Sequence, residues 1–146
     1  MKICFMCDLH LSFDKNALQY DVLEWAISDI ERKNPDCIAY VGDVTCDGNI
    51  AVYKWFVKRM QCTQIPFLLI PGNSDLRCKD SCNEIKRICS KCENDFDNVK
   101  IFAVNDCDAK ICDEQFRLIE KADETSIVFM HHPIESLSPE HAQKNA

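Results

Sequence analysis

Glycine is nearly absent, with three residues in 146 where ordinary usage of about 7% would supply about ten. No P-loop or dinucleotide fingerprint is present, so the glycine-built phosphate cradles are excluded. No apolar run approaches the ~20 residues that span a bilayer. Met1-Lys2 and the five apolar residues after it are too brief for a secretory leader, whose apolar core runs ~7–15 residues, and a cytoplasmic location is expected. Basic residues are outnumbered, 17 against 24, for a net charge of −7. Phosphate backbones and anionic membranes demand clustered Lys and Arg, so neither a nucleic-acid nor a membrane surface is expected. An acidic protein that handles phosphate needs metal ions. No Ser-His-Asp or Cys-His arrangement is legible.

What is present is the balance of a globular chain, 47% hydrophobic and 28% charged, at a length that suits a single domain. Residues 1–133 read as that domain and 134–146 as a polar tail. Eleven cysteines cannot all pair, and reduced thiols are expected. Cys78, Cys82, Cys89 and Cys92 suggest a zinc or iron–sulfur site. A plainer reading is preferred, because these positions share one helical stripe with Ile85 while Lys79, Asp80, Glu84, Lys86 and Arg87 lie elsewhere.

Apolar periodicity places strands at 2–7, 37–41, 67–70, 99–104 and 126–130. Helices are expected over about 15–33, around Val52, Trp55, Phe56 and Met60, at about 76–93, and at 113–121. Leu18, Val22, Trp25, Ala26 and Ile30 form the apolar face of the first helix, and Trp25, Trp55 and Phe56 read as core anchors. Alternating strands and helices imply an α/β fold with a largely parallel sheet, which collects ligands at the carboxyl ends of its strands.

Four of those strands end in metal-ligand residue types: Asp8 and His10, then Asp43, then Asn73, then His131. Carboxylate, imidazole and amide oxygen form a mixed N/O set suited to Mn, Fe, Zn, Co or Ni. Asp43 can bridge two cations, which suits attack on phosphorus. Gly42 and Gly72 immediately precede Asp43 and Asn73, and Gly48 closes the loop after Asp43, so every glycine serves a turn that aims a ligand.

In its blocks Asp8-Leu9-His10, Gly42-Asp43 through Asp47-Gly48, Gly72-Asn73-Ser74-Asp75 and His131-His132-Pro133, the chain resembles the calcineurin-like metallophosphoesterase superfamily. The stretch from Asp113 and Gln115 to Leu118 and Glu120 is similar to its cyclic-nucleotide and glycerophosphodiester phosphodiesterase branch. The resemblance implies an α/β/β/α sandwich and hydrolysis of a phosphomonoester or phosphodiester. It implies two metal ions, with Mn, Fe or Zn expected. Asp8 and His10 would hold one, Asn73 and His131 the other, with Asp43 between them, and a hydroxide bridging the pair would attack phosphorus. The partner would be a small phosphorylated substrate.

Two departures follow. Ser74 stands where the family has a phosphate-contacting histidine; its hydroxyl can hydrogen-bond an oxygen but cannot act as a cationic acid. No G-H-x-H block follows His131, so five of seven family ligands are present, the C-terminal strands are missing, and the chain reads as ending before that block. A catalytically inactive binding module is the competing expectation. Asp47 is assigned to loop hydrogen bonding and Asp75 to capping a helix near Leu76. Arg77 reads as a solvated helix-end residue, and His132 as extended backbone before Pro133.

Overall fold

The computed structural model describes residues 1–89, 93–96, 99–107 and 111–133. Its elements run β1 (Ile3–Met6), α1 (Leu18–Lys33), β2 (Cys37–Val41), α2 (Ile50–Gln61), β3 (Phe67–Ile70), α3 (Lys79–Ile88), β4 (Glu93–Phe96), β5 (Val99–Ala103), α4 (Asp113–Ile119) and β6 (Ser126–Phe129). The tail 134–146 and Cys92 lie outside the described residues.

The strands form two sheets. β1, β2 and β3 are parallel in that order, with Ile3 opposite Cys37 and Ile38 opposite Phe67. In the second sheet β5 lies between β4, antiparallel, and β6, parallel. The expected parallel α/β character holds, and the strands form the two sheets that an α/β/β/α sandwich implies. The helix expected to residue 93 ends at Ile88, and β4 follows where no strand is expected; the polar segment Glu-Asn-Asp offers no apolar alternation to announce a strand.

Every residue of β2 is buried, and its alternation explains the layering. Ile38 and Tyr40 join a core with α1, α2 and α3, including Leu23, Ile27, Phe56 and Ile85. Cys37, Ala39 and Val41 face the other way and meet Leu68, Ile70, Ile101 and Ala103. The first sheet is thus covered by helices on one side and by the second sheet on the other. A fully buried large apolar side chain is worth about 1.5–3 kcal/mol over its exposed state, so burying both faces makes β2 the rigid centre from which Asp43 projects.

The local signals behind these elements are legible. Asn49 caps α2 by accepting the amides of Ala51 and Val52, and Asn34 ends α1 in a left-handed conformation with its amide on the Ile30 and Glu31 carbonyls. The face of α1 differs from the expected one. Tyr20, Leu23, Ile27 and Ile30 are buried, while Leu18, Val22 and Trp25 are exposed, Trp25 by 71%. Two apolar stripes run along this helix, and the one holding Leu23 and Ile27 meets β2. Phe56 is a core anchor and Trp55 is half-buried, edge-on to Tyr20. Among the described residues no helix is long and apolar enough to cross a membrane.

Candidate metal centre

The chain beyond β1 stays zipped to the chain beyond β2. The amides of Asp8, His10 and Leu11 donate to the carbonyls of Gly42, Asp43 and Val44, and Cys46 donates back to Leu11. This continued pairing, with Leu11 fully buried as its anchor, brings Asp8 and His10 beside Asp43. One donor atom from each of the three lies within 4.8 Å of the others. His10 Nε2 is 3.7 Å from Asp8 Oδ1 and 3.6 Å from Asp43 Oδ2. All three residues hold positive φ, 56° at Asp8, 47° at His10 and 54° at Asp43. Left-handed backbone at non-glycine residues is strained and gathers at functional sites.

His131 enters from the opposite sheet. Its Nδ1 lies 2.9 Å from the Val41 carbonyl oxygen, which only accepts, so Nδ1 carries the proton. In the neutral ring Nε2 then presents a lone pair, and it sits 3.2 Å from Asn73 Oδ1 and 3.5 Å from Asp43 Oδ1. With the amide so oriented, one ring nitrogen and two oxygens converge. That arrangement fits a cation. The side chains of Asp43 and His131 are buried, whereas the Asp8 side chain is 58% exposed and Asn73 is exposed, so the cluster is closed from beneath and open toward solvent.

Two glycines make room for this. A methyl group on Gly42 would stand 2.6 Å from His131 Cγ and 2.9 Å from the Gly72 Cα; one on Gly72 would stand 2.8 Å from Asp43 Cγ. No real Cβ tolerates such approaches, so the sheet ends meet this closely only because both positions are glycine.

Ser74 does not sit as the sequence suggested. It is fully buried, and its hydroxyl donates to the Thr45 carbonyl at 2.7 Å rather than facing the open side. Its amide instead donates to Asp43 Oδ1 at 2.9 Å, orienting that carboxylate. Asp75 is not a helix cap either, since α3 begins only at Lys79 with Cys78 before it. Fully buried, Asp75 accepts the amides of Val44, Thr45 and Gly72 and the Thr45 hydroxyl. It thereby ties the loop bearing Asp43 to the loop bearing Asn73. Burial pushes its carboxyl up, and those amides and the hydroxyl oppose the push. Cys7, hydrogen-bonded to Asp8 and partly desolvated, has its thiol pushed up to about 11.

Asp47 accepts the Asn49 amide, as expected of a loop residue, and exposed Arg77 donates to the Cys46 carbonyl. Cys78, Cys82 and Cys89 flank or lie within α3; Cys78 and Cys82 carry free thiols, and the fourth member of that stripe, Cys92, lies outside the described residues. Sequence reasoning missed Asp106, buried beyond β5 with its carboxylate on the His131 and His132 amides. An acid in the short polar segment after an apolar strand was its one available signal.

The family model described as calcineurin-like phosphoesterase matches residues 1–146. Over 72 residues the chain is 35% identical to a probable cyclic nucleotide phosphodiesterase of Moraxella catarrhalis, covering 49% of this chain and 26% of that protein. Over 87 residues it is 30% identical to a probable cyclic nucleotide phosphodiesterase of Xenorhabdus bovienii, covering 52% and 34%. The chain spans about a third or less of the length of these relatives. Among solved structures it is similar to a dimetal phosphatase from Danio rerio, with a TM-score of 0.49 and 14% identity over 70% of this chain and 43% of that one.

Proposed function

The chain belongs to the calcineurin-like phosphoesterase family, and on that premise we propose that it is a metal-dependent hydrolase of phosphoesters. Asp8 and His10 would hold one cation, Asn73 and His131 the other, and Asp43 would contribute to both. The observation that carries this reading is the convergence of His131 Nε2 and Asn73 Oδ1 on Asp43, beside the cluster that Asp43 forms with Asp8 and His10. Manganese, iron and zinc suit the mixed nitrogen and oxygen donors. A bound cation pair supplies Lewis acidity, acidifying water and neutralising charge on the phosphoryl oxygens.

The chain's own residues do the rest. Asp43, held by the Ser74 amide on one oxygen, is fixed in orientation between the two halves of the cluster. The Val41 carbonyl accepts the Nδ1 proton of His131 and so turns Nε2 toward Asn73 and Asp43. The exposed edge formed by Asp8, His10 and Asn73 is where a phosphorylated molecule approaches, while the buried floor of Asp43 and His131 excludes water from beneath. The substrate is a small phosphomonoester or phosphodiester, and the names of the two relatives favour a cyclic nucleotide. A cytoplasmic location belongs to the same proposal, supported by free thiols at Cys4 and Cys7.

A second reading, phosphate binding without turnover, is favoured by Ser74, whose hydroxyl is spent on Thr45 and unavailable to a leaving group. Cleavage of bis(4-nitrophenyl) phosphate with manganese separates the two. Turnover abolished by Asp43→Asn supports the hydrolase, and no turnover with any divalent metal leaves the binding module.

A further inference from the structure

The proposed chemistry assigns no work to Asp106, although it is one of the few buried carboxylates, 4% exposed. One carboxylate oxygen accepts the His131 amide at 3.0 Å, and the other accepts the His132 amide at 2.8 Å. Its backbone carbonyl lies 3.0 Å from His132 Nδ1, which donates to it. Regular pairing between β5 and β6 ends at Ala103 and Phe129, followed by one bond from the Val104 amide to the Phe129 carbonyl. Beyond that point the ladder offers nothing to the amides of residues 131 and 132.

In an extended chain successive amides point to opposite sides. Two consecutive amides reaching one carboxylate therefore require the chain to bend, and it does bend at 131 and 132. The bend turns the His131 ring away from its own sheet toward the end of β2, where Nδ1 meets Val41 and Nε2 faces Asn73 and Asp43.

We propose that Asp106 is a positioning residue for His131: by clamping two consecutive amides it sets the bend that carries the imidazole across from one sheet to the other. Its importance for chemistry rests on the metal-site reading above, but the clamp itself does not. Asp106→Asn keeps the size of the side chain and replaces one of the two acceptor oxygens with an amide nitrogen that cannot accept.

Long-range nitrogen–proton NMR of the metal-free 146-residue chain reads each histidine's tautomer. The wild type shows His131, identified by its loss in His131→Gln, as the Nδ1–H form. In Asp106→Asn, with its far-ultraviolet circular dichroism unchanged, that signal moves toward the average of two tautomers while His10 stays put. Manganese affinity falls about 10–100-fold, the range for loss of a ligand's supporting hydrogen bond, and falls no further when Asp106→Asn is added to His131→Gln. An unmoved His131 tautomer overturns the proposal, as does an equal loss of affinity in the His131→Gln background, which marks a general structural defect. If Asp106→Asn does not fold, Asp106→Glu, which keeps both oxygens but displaces them by one methylene, carries the same readouts with smaller effects. A wild-type chain that binds no manganese sinks the metal-site reading alone, because the tautomer comparison needs no metal.

Discussion

Asp75 accepts both the amide and the hydroxyl of Thr45, at 2.7 and 2.9 Å, across thirty positions of sequence. The same carboxylate holds Gly72 and Val44, so two loops that carry candidate ligands share one buried acceptor. Replacing it with alanine strands three amides and a hydroxyl, each costing about 1–3 kcal/mol when buried unpaired. Asp75→Ala is expected to lose about 3 kcal/mol or more, a large part of a small domain's stability. Urea unfolding measures it; a loss below about 1 kcal/mol contradicts the shared-anchor account.

Gly72→Ala tests how closely the sheet ends approach. The added methyl meets Asp43, and relief by moving the backbone costs about 1–3 kcal/mol. Manganese affinity should drop because Asp43 is the group displaced. Titration calorimetry showing wild-type affinity in a folded Gly72→Ala chain would refute the close approach.

Metal addition and removal are expected to change stability reversibly. A ligand that binds the folded chain alone contributes about 2.7 kcal/mol at 100 times its Kd. Tm should rise with manganese, fall back on chelation, and respond far less in Asp43→Asn. A Tm indifferent to manganese and chelator speaks against the site.

The two stripes of α1 should separate cleanly. Leu23 is fully buried and Trp25 is 71% exposed. Leu23→Ala is expected to cost about 2–5 kcal/mol, and Trp25→Ser about 0.5 kcal/mol or less. Reversed magnitudes in denaturant unfolding would mean that the helix presents its other face to β2.

Asp123 supplies a pH signature. Hydrogen bonds from Thr125, Lys100 and Ser126 hold its carboxyl well below the usual carboxylate range. Because the folded value is depressed, the stabilisation is fully present above the unfolded value of about 3.9 and is lost as pH falls from there through the folded value. Asp123→Asn should therefore lower Tm at pH 7, with the gap to the wild type narrowing below about pH 4. A gap independent of pH down to pH 2 would count against this linkage.

Some features were legible because their causes are local. The strands at Cys37–Val41 and Phe67–Ile70 announce themselves as short apolar runs, and Asn34 with Pro35 stops α1 where chain stiffness demands. The ligand residue types at the strand ends, in order and after their glycines, are likewise a property of the linear chain. Ser74 misled because a hydroxyl's direction depends on which carbonyl lies nearby, and the Thr45 carbonyl arrives from another loop. Trp25 misled because an apolar stripe does not say which neighbour will meet it.

Element type, chain order and ligand chemistry were therefore written into the amino acids, since propensity, periodicity and donor identity act over a few residues. Which stripe of α1 is covered, the pairing of β4 with β5, and the work of Asp75 and Asp106 came from long-range packing. A buried carboxylate takes its meaning from the amides that surround it, and most of those amides lie 25 to 31 positions away, brought within hydrogen-bond reach only by folding.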